Sequence, residues 1–198
     1  MMPYLMSEKQ NKAHLTASDW VDAAMSMMAA GSEADVKIER LAVKLNASKG
    51  SFYWHFRDRQ HLLQAVLERW SKLTTLDVQA RLDHQERAPD QRLLRFLELP
   101  LRSARAIMMA DLELTIFNWA KQDETARDAL ILVDQLRTQH IAALIADLGI
   151  PTNRANSFAH EAYAMIRYVA LRRDLPIDTR CALIKAQHQR IIDAAGTS

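Results

Sequence analysis

Glycine is scarce in this chain, with four in 198 residues. Alanine, leucine, arginine and glutamine are common in its place, and that argues for helix nearly throughout. No stretch shows convincing strand alternation, and no Gly-rich phosphate loop is present. Cysteine occurs once, at Cys181. A single thiol closes no internal disulfide, which suits a reducing cytoplasm, and Cys181 reads as a small helix residue. No apolar run nears the ~20 residues that span a bilayer, so no membrane partner is expected. The opening M-M-P-Y-L-M-S-E-K-Q has no long apolar core and no cleavage site, so no signal peptide is expected.

Catalytic patterns are also missing. No Ser/His/Asp order, paired-acid motif or phosphate loop stands out, so the chain is not expected to be an enzyme. There are seven histidines. His55 and His61 lie near each other, but no cysteine or acid completes a tetrahedral set. His140 and the His160-Glu161 pair are isolated, so neither metal nor cofactor is expected.

What remains is ordinary for a soluble globular protein, with 49% hydrophobic and 25% charged residues. A chain of this length can bury one sizeable core or two small ones sharing a helix. The stretch Val36–Phe56 organises it. Ile38, Leu41, Ala42 and Leu45 recur at helical offsets. Asn46 breaks the pattern, as Asn tolerates the left-handed backbone that ends a helix. Ser48 can cap a second helix. That helix holds Lys49, Ser51, Tyr53, Trp54 and His55 around a narrow apolar stripe, Phe52 and Phe56. A helix held by one stripe, offering a cation, hydroxyls and aromatic rims, is suited to a polar partner, and nucleic acid is the natural candidate. Packing against the first helix is the other reading for Tyr53 and Trp54. From Lys37 to Arg59 there are six basic residues against two acids, a local +4, while the whole chain carries +2. Positive charge is concentrated where phosphate contacts need it.

Around this reader the chain falls into helices. Residues 1–15 form a polar, mildly basic arm; Lys9, Lys12 and His14 could enter a minor groove, but a disordered tail is the plainer expectation. Thr16 and Asp19 can form a capping box for a first helix running to Ala30, stopped by Gly31. Its inward residues are Trp20, Val21, Ala24, Met27 and Met28. Asp58 caps a helix from Arg59 toward Arg87, with an apolar stripe of Leu62, Leu63, Val66, Leu67, Trp70, Leu73 and Leu76. It reads as a lever joining two cores. After a break at His84–Asp90, Asp90 caps a helix that Pro100 should bend or end. Helices at Ala104–Lys121, Glu124–Leu148 and Thr152–Arg173 follow, the last two separated at Gly149–Asn153, and a short one covers Asp178–Ala194.

The run L-A-x-x-L-N-A-S-K-G-S-F-Y-W-H-F-R-D-R-x-x-L-L, preceded by D-W-V-D-A-A-M-S-M-M-A-A-G, resembles the tetracycline-repressor (TetR) family of bacterial transcription regulators over about Thr16–Leu67. Asn46-Ala47 stands where the family usually has Gly-Val, and Val36 where it usually has Thr or Ser, leaving Lys37 to take over a phosphate contact. The resemblance implies an all-α fold. A helix-turn-helix domain at 16–60 would join, through a long helix, a helical ligand-binding and dimerisation domain at 61–198. It implies a homodimer that binds a palindromic double-stranded operator, more as repressor than activator, and is released by a small apolar or amphipathic effector. By family position Lys49, Tyr53, His55 and Arg59 would contact phosphates. Ser48 would cap, Ser51 and Trp54 would face bases, and Gly50 would allow close approach. The effector pocket would involve Phe96, Met108, Met109, Leu112, Ile116 and Phe117. The dimer interface would involve Leu130, Val133, Ile141, Leu144 and Leu148 on one long helix, and Phe158, Ala162, Met165 and Val169 on the next. Two rival readings are a helical ligand-binding or enzymatic protein with a vestigial reader, and a regulator controlled by a protein partner.

Overall fold

A computed structural model describes residues 15–78, 88–101 and 103–196. The expected arm with Lys9, Lys12 and His14, and most of the break expected at His84–Asp90, lie outside the described residues. Among those described there is no strand. The helices are α1 (Ala17–Ala30), α2 (Ile38–Lys44), α3 (Lys49–Tyr53), α4 (Arg59–Thr74) and α5 (Pro89–Leu97), then α6 (Ala104–Trp119), α7 (Glu124–Ala146), α8 (Thr152–Leu171) and α9 (Ile177–Ala195). None is long and apolar enough to cross a membrane.

Local chemistry sets most boundaries. Thr16 and Asp19 form the reciprocal capping box at the start of α1. Asp58 accepts from the His61 backbone N–H at 2.8 Å and opens α4. Each satisfies a backbone donor the helix cannot satisfy itself. α5 begins two residues earlier than expected. Ala88 is its N-cap and Pro89 its first residue, so Asp90 sits in the first turn rather than capping. Proline suits that place because its missing N–H would be unpaired anyway.

The helix expected to run from Arg59 toward Arg87 is interrupted at Thr75, so that α4 ends at Thr74; helix resumes over 76–78, and 79–87 lie outside the described residues. Two adjacent threonines explain the break. The Thr74 hydroxyl donates to the Trp70 carbonyl at 2.8 Å, and the Thr75 hydroxyl to the Ser71 carbonyl at 2.7 Å. Such back-bonding competes with the helical ladder and bends it. Thr75 leaves helical geometry, and Leu76, expected in the buried stripe, is 55% exposed.

Two apolar cores result. The first joins α1–α4 to Leu112 and Ile116 of α6 and to Ala126, Leu130 and Val133 of α7. The second joins α5, the far half of α7, α8 and α9, with Ile141, Leu144, Ile145, Ala162, Val169 and Ile184 among its members. α7, with 23 residues, is long enough to serve both. α6 is fastened to α1 by a polar link as well, since the Thr115 hydroxyl donates to the Met28 carbonyl at 2.9 Å.

The residues expected at a dimer interface lie in these cores or at their margins. Val133, Ile141, Ala162 and Val169 are fully buried, Leu130 and Leu144 nearly so, while Leu148, Phe158 and Met165 are partly buried against the second core. Their stripes hold α7 and α8 to each other and to their own chain. A side chain with no exposed surface offers nothing to a second chain, so of this set only Leu148, Phe158 and Met165 keep surface to offer.

Candidate nucleic-acid interface and internal cavity

The two-helix reader is set by a turn that backbone hydrogen bonds close twice. Asn46 adopts φ +49°, its N–H donates to the Val43 carbonyl at 3.1 Å, and the Ala47 N–H reaches back to the Ala42 carbonyl at 2.8 Å. This is the paired closure of a Schellman turn, made with Asn where Gly is commoner. Ser48 then accepts from the Ser51 N–H at 3.2 Å and starts α3. Phe52 is the buried residue of α3. Its ring meets Trp20 edge-on at 5.4 Å and lies 5.5 Å from Phe56. With Phe52 turned inward, the next two positions turn out: Tyr53 is 57% and Trp54 88% exposed. Most of Trp54 and over half of Tyr53 are thus not taken up by packing.

The other expected contact residues divide. Lys37, Lys49 and Gly50 are exposed and Ser51 is half-buried. A Cβ at Gly50 would meet only the Ser48 Oγ, at 3.6 Å, so the chain's own packing leaves this face open. Lys49 reaches the Glu39 carboxylate at 2.6 Å, which ties α3 to α2. Hydrogen bonding to Lys49 holds Glu39 below the usual carboxylate range, and the same bond raises Lys49. His55 and Arg59 do not project. His55 Nε2 lies 2.9 Å from the Leu15 carbonyl. Arg59 donates to the carbonyls of Val36, at 2.7 Å, and Glu33, and meets the Glu33 carboxylate at 3.3 Å. Both brace the reader from behind. Reading by pattern also missed Val43, an apolar residue 82% exposed on α2. Its signal was its place off the Leu41–Ala42–Leu45 stripe.

A cavity of about 480 Å³ opens among the end of α4, α5, α6, α7 and α8, within the range of small-molecule sites. Phe96, Met109 and Phe117 line it as expected. Met108, Leu112 and Ile116 do not. α6 turns one stripe, Ala106, Met109, Ala110, Glu113 and Phe117, to the cavity. Its other stripe, Leu112 and Ile116, is spent on the core shared with α1.

The polar side of the cavity was missed altogether. Arg137 Nη1 donates to Glu113 at 2.6 Å and to the Tyr163 hydroxyl at 3.1 Å, and its Nε donates to the Thr74 carbonyl at 3.3 Å. Arg167 donates to Glu113 at 3.2 Å and to Asp134 at 2.6 Å, with its guanidinium 4.7 Å over the Tyr163 ring. The Tyr163 hydroxyl donates to Asp134 at 2.8 Å. Burial pulls Arg137 down, but the Glu113 carboxylate and the hydrogen bonds to Glu113 and the Tyr163 hydroxyl outweigh it and leave the group above its ordinary value. Burial raises the Tyr163 phenol, which stays a donor. The available signal was Glu113 inside the apolar run L-E-L-T-I-F. Among the described residues no group of three His, Cys, Asp or Glu could hold a metal ion.

A family model described as bacterial regulatory proteins, tetR family, matches residues 21–66, the stretch from α1 through α3 into α4. Over that stretch the chain is of TetR type. The matched residues are the helix-turn-helix DNA-binding domain of that family of transcription regulators. No curated relative matches it in sequence. Its fold resembles solved structures over most of its length. A transcriptional regulator of Rhodococcus sp. Rha1 gives a TM-score of 0.74 at 16% identity, over 90% of this chain and 97% of that one. One from Saccharomonospora viridis, in complex with choline, gives 0.73 at 18%, over 86% and 93%. The fatty acid degradation regulator FadR of Bacillus halodurans gives 0.64 at 12%, over 94% and 97%. At such identities the likeness is one of fold. It covers both parts, the reader and the all-α remainder.

Proposed function

We propose that this regulator is a cytoplasmic, homodimeric repressor that a small molecule releases from a palindromic operator. The observation that carries the reading is α3 itself. It buries Phe52 alone and presents Tyr53 and Trp54 outward beside exposed Lys37 and Lys49. Lys37, Lys49 and Tyr53 are assigned to phosphates, Trp54 and Ser51 to base edges, and Gly50 to close backbone approach. Ser48 caps, and His55 and Arg59 hold the reader's shape. Residues 16–60 act as the reading domain and 61–198 as the effector and dimer domain, with residues 1–15 a flexible arm. The shared first core couples the two.

DNA selected from a random double-stranded library tests the reading, with affinity followed by fluorescence anisotropy across a salt series. Wild type should bind tightly with a steep salt slope. Tyr53→Ala should weaken binding about tenfold. Lys37→Ala and Lys49→Ala should each flatten the log–log slope by about 0.9. Binding that stays weak, ignores sequence and is unchanged by Tyr53→Ala would sink the reader assignment.

Two readers about 34–36 Å apart would reach successive major grooves of a near-palindrome. The proposed dimer pairs the outward faces of α8 and α9, where Tyr168, Leu171 and Ile177 remain exposed and Ala164, Ala182 and Ala186 let helices approach. Sedimentation should give twice the monomer mass for wild type and a monomer for Ala164→Arg. A wild-type monomer at the concentrations that bind DNA would refute the twofold arrangement.

The effector is assigned to the cavity at the inner end of α4. A similar regulator solved with choline supports a small-molecule effector. Arg137 joins that cavity to the last carbonyl of α4, whose other end packs in the reader. A ligand shifts such an equilibrium only by its differential affinity for the two states.

A further inference from the structure

The charges on the cavity wall are unequal. Three cations line it, Arg105, Arg137 and Arg167, against one lining carboxylate, Glu113, while Asp134 pairs with Arg167 without lining the space. Glu113 is already committed. One oxygen accepts from Arg137 at 2.6 Å and the other from Arg167 at 3.2 Å. An arginine fork carries five N–H donors, and not all are used here. Among the described residues, Arg137 Nη2 and Arg167 Nη1 donate to no protein acceptor. The rest of the wall is mainly apolar, with Phe96, Leu99, Met109, Phe117 and Ile166 facing the same space.

We propose that this cavity takes an amphipathic carboxylate. Its head group is held by the free guanidinium edges of Arg137 and Arg167, and its body lies along the apolar wall. A carboxylate can accept a charge-assisted hydrogen bond from each free nitrogen, one on each arginine, and such bonds are stronger in a poorly solvated site than in water. A cationic head group would face two arginines, with Glu113 neutralised by both. A neutral head group would leave the same edges without a charged partner. The proposal rests on the reading of this cavity as the effector site, and it narrows that reading to one ligand class.

Three probes of one chain length separate the possibilities: decanoate, decan-1-ol and decyltrimethylammonium, titrated calorimetrically into the full-length wild-type dimer near neutral pH. Decanoate should bind about tenfold more tightly than either of the others, the worth of a charge-assisted hydrogen bond. Arg167→Gln should remove that advantage and leave decan-1-ol binding unchanged. Arg105→Gln, at the exposed rim, should reduce it less and does not disturb the internal cluster. The proposal is overturned if decyltrimethylammonium binds most tightly, if decan-1-ol equals decanoate, or if none of the three binds. Operator affinity measured with the same probes separates the two levels. Decanoate that binds with the expected preference but leaves operator affinity unchanged supports the ligand class and overturns the effector reading.

Discussion

Phe52→Ala is expected to cost about 3–5 kcal/mol of stability and to abolish operator binding. α3 has five residues, far fewer than a helix needs to persist by itself in water. Its position therefore comes from packing, and Phe52 is its one buried side chain. Truncation empties a site enclosed by Trp20 and Phe56 and loses the edge-on contact at 5.4 Å. The loss should fall first on α3, because the salt bridge from Lys49 to Glu39 that also holds it is exposed and worth little. Urea unfolding gives the stability change, and anisotropy against the selected operator gives the binding. Phe52→Leu should recover most of both. A Phe52→Ala protein that loses less than about 1 kcal/mol and still binds its operator would show that something else places the reader.

Much of this architecture was legible because its causes are local. Thr16 with Asp19, Ser48, and Asp58 each cap the helix that follows them within three residues. Asn46 ends α2 by its own backbone preference. Such signals need no knowledge of the rest of the chain. Apart from the end of α4 and the start of α5, the expectations that the structure changes depend on what lies opposite a helix face. The stripe on α7 and α8 was read as an interface, although the same periodicity serves a core equally well, and the core used it. α6 is apolar around most of its circumference, so nothing in the sequence says that Met109 faces a cavity and Leu112 faces α1. Arg59 occupies a helix start where a phosphate could sit, but the carbonyls of Glu33 and Val36, from the segment before α2, reach it first. Arg137 and Arg167 are the clearest case. They lie 30 positions apart on different helices, and only the fold brings both to Glu113.

That convergence makes Arg137→Met the second large effect, with an expected loss of about 3 kcal/mol. Arg137 and Glu113 keep only about 15% of their side-chain surface exposed, so solvent screens the pair little. Removing one member of a buried pair leaves the other charged and poorly solvated, which costs about 3–5 kcal/mol. The low end applies because Arg167 remains beside Glu113 at 3.2 Å. The loss would also free the Thr74 carbonyl at the end of α4 and the Tyr163 hydroxyl from one donor each. Pairing the change with Glu113→Leu is the informative step. If the cost is an unpaired carboxylate, Arg137→Met with Glu113→Leu should be more stable than Arg137→Met alone, by about 1–3 kcal/mol in urea unfolding. If the two losses simply add, the ion pair contributes no coupling and Arg137 matters only as bulk. A buried charge cluster of this kind does not maximise stability, since an apolar replacement of equal volume is often as stable or more so. Its value lies in the donors it keeps aimed at the cavity. The stabilised double variant should therefore also lose the preference for decanoate over decan-1-ol, because it no longer carries the Arg137 fork.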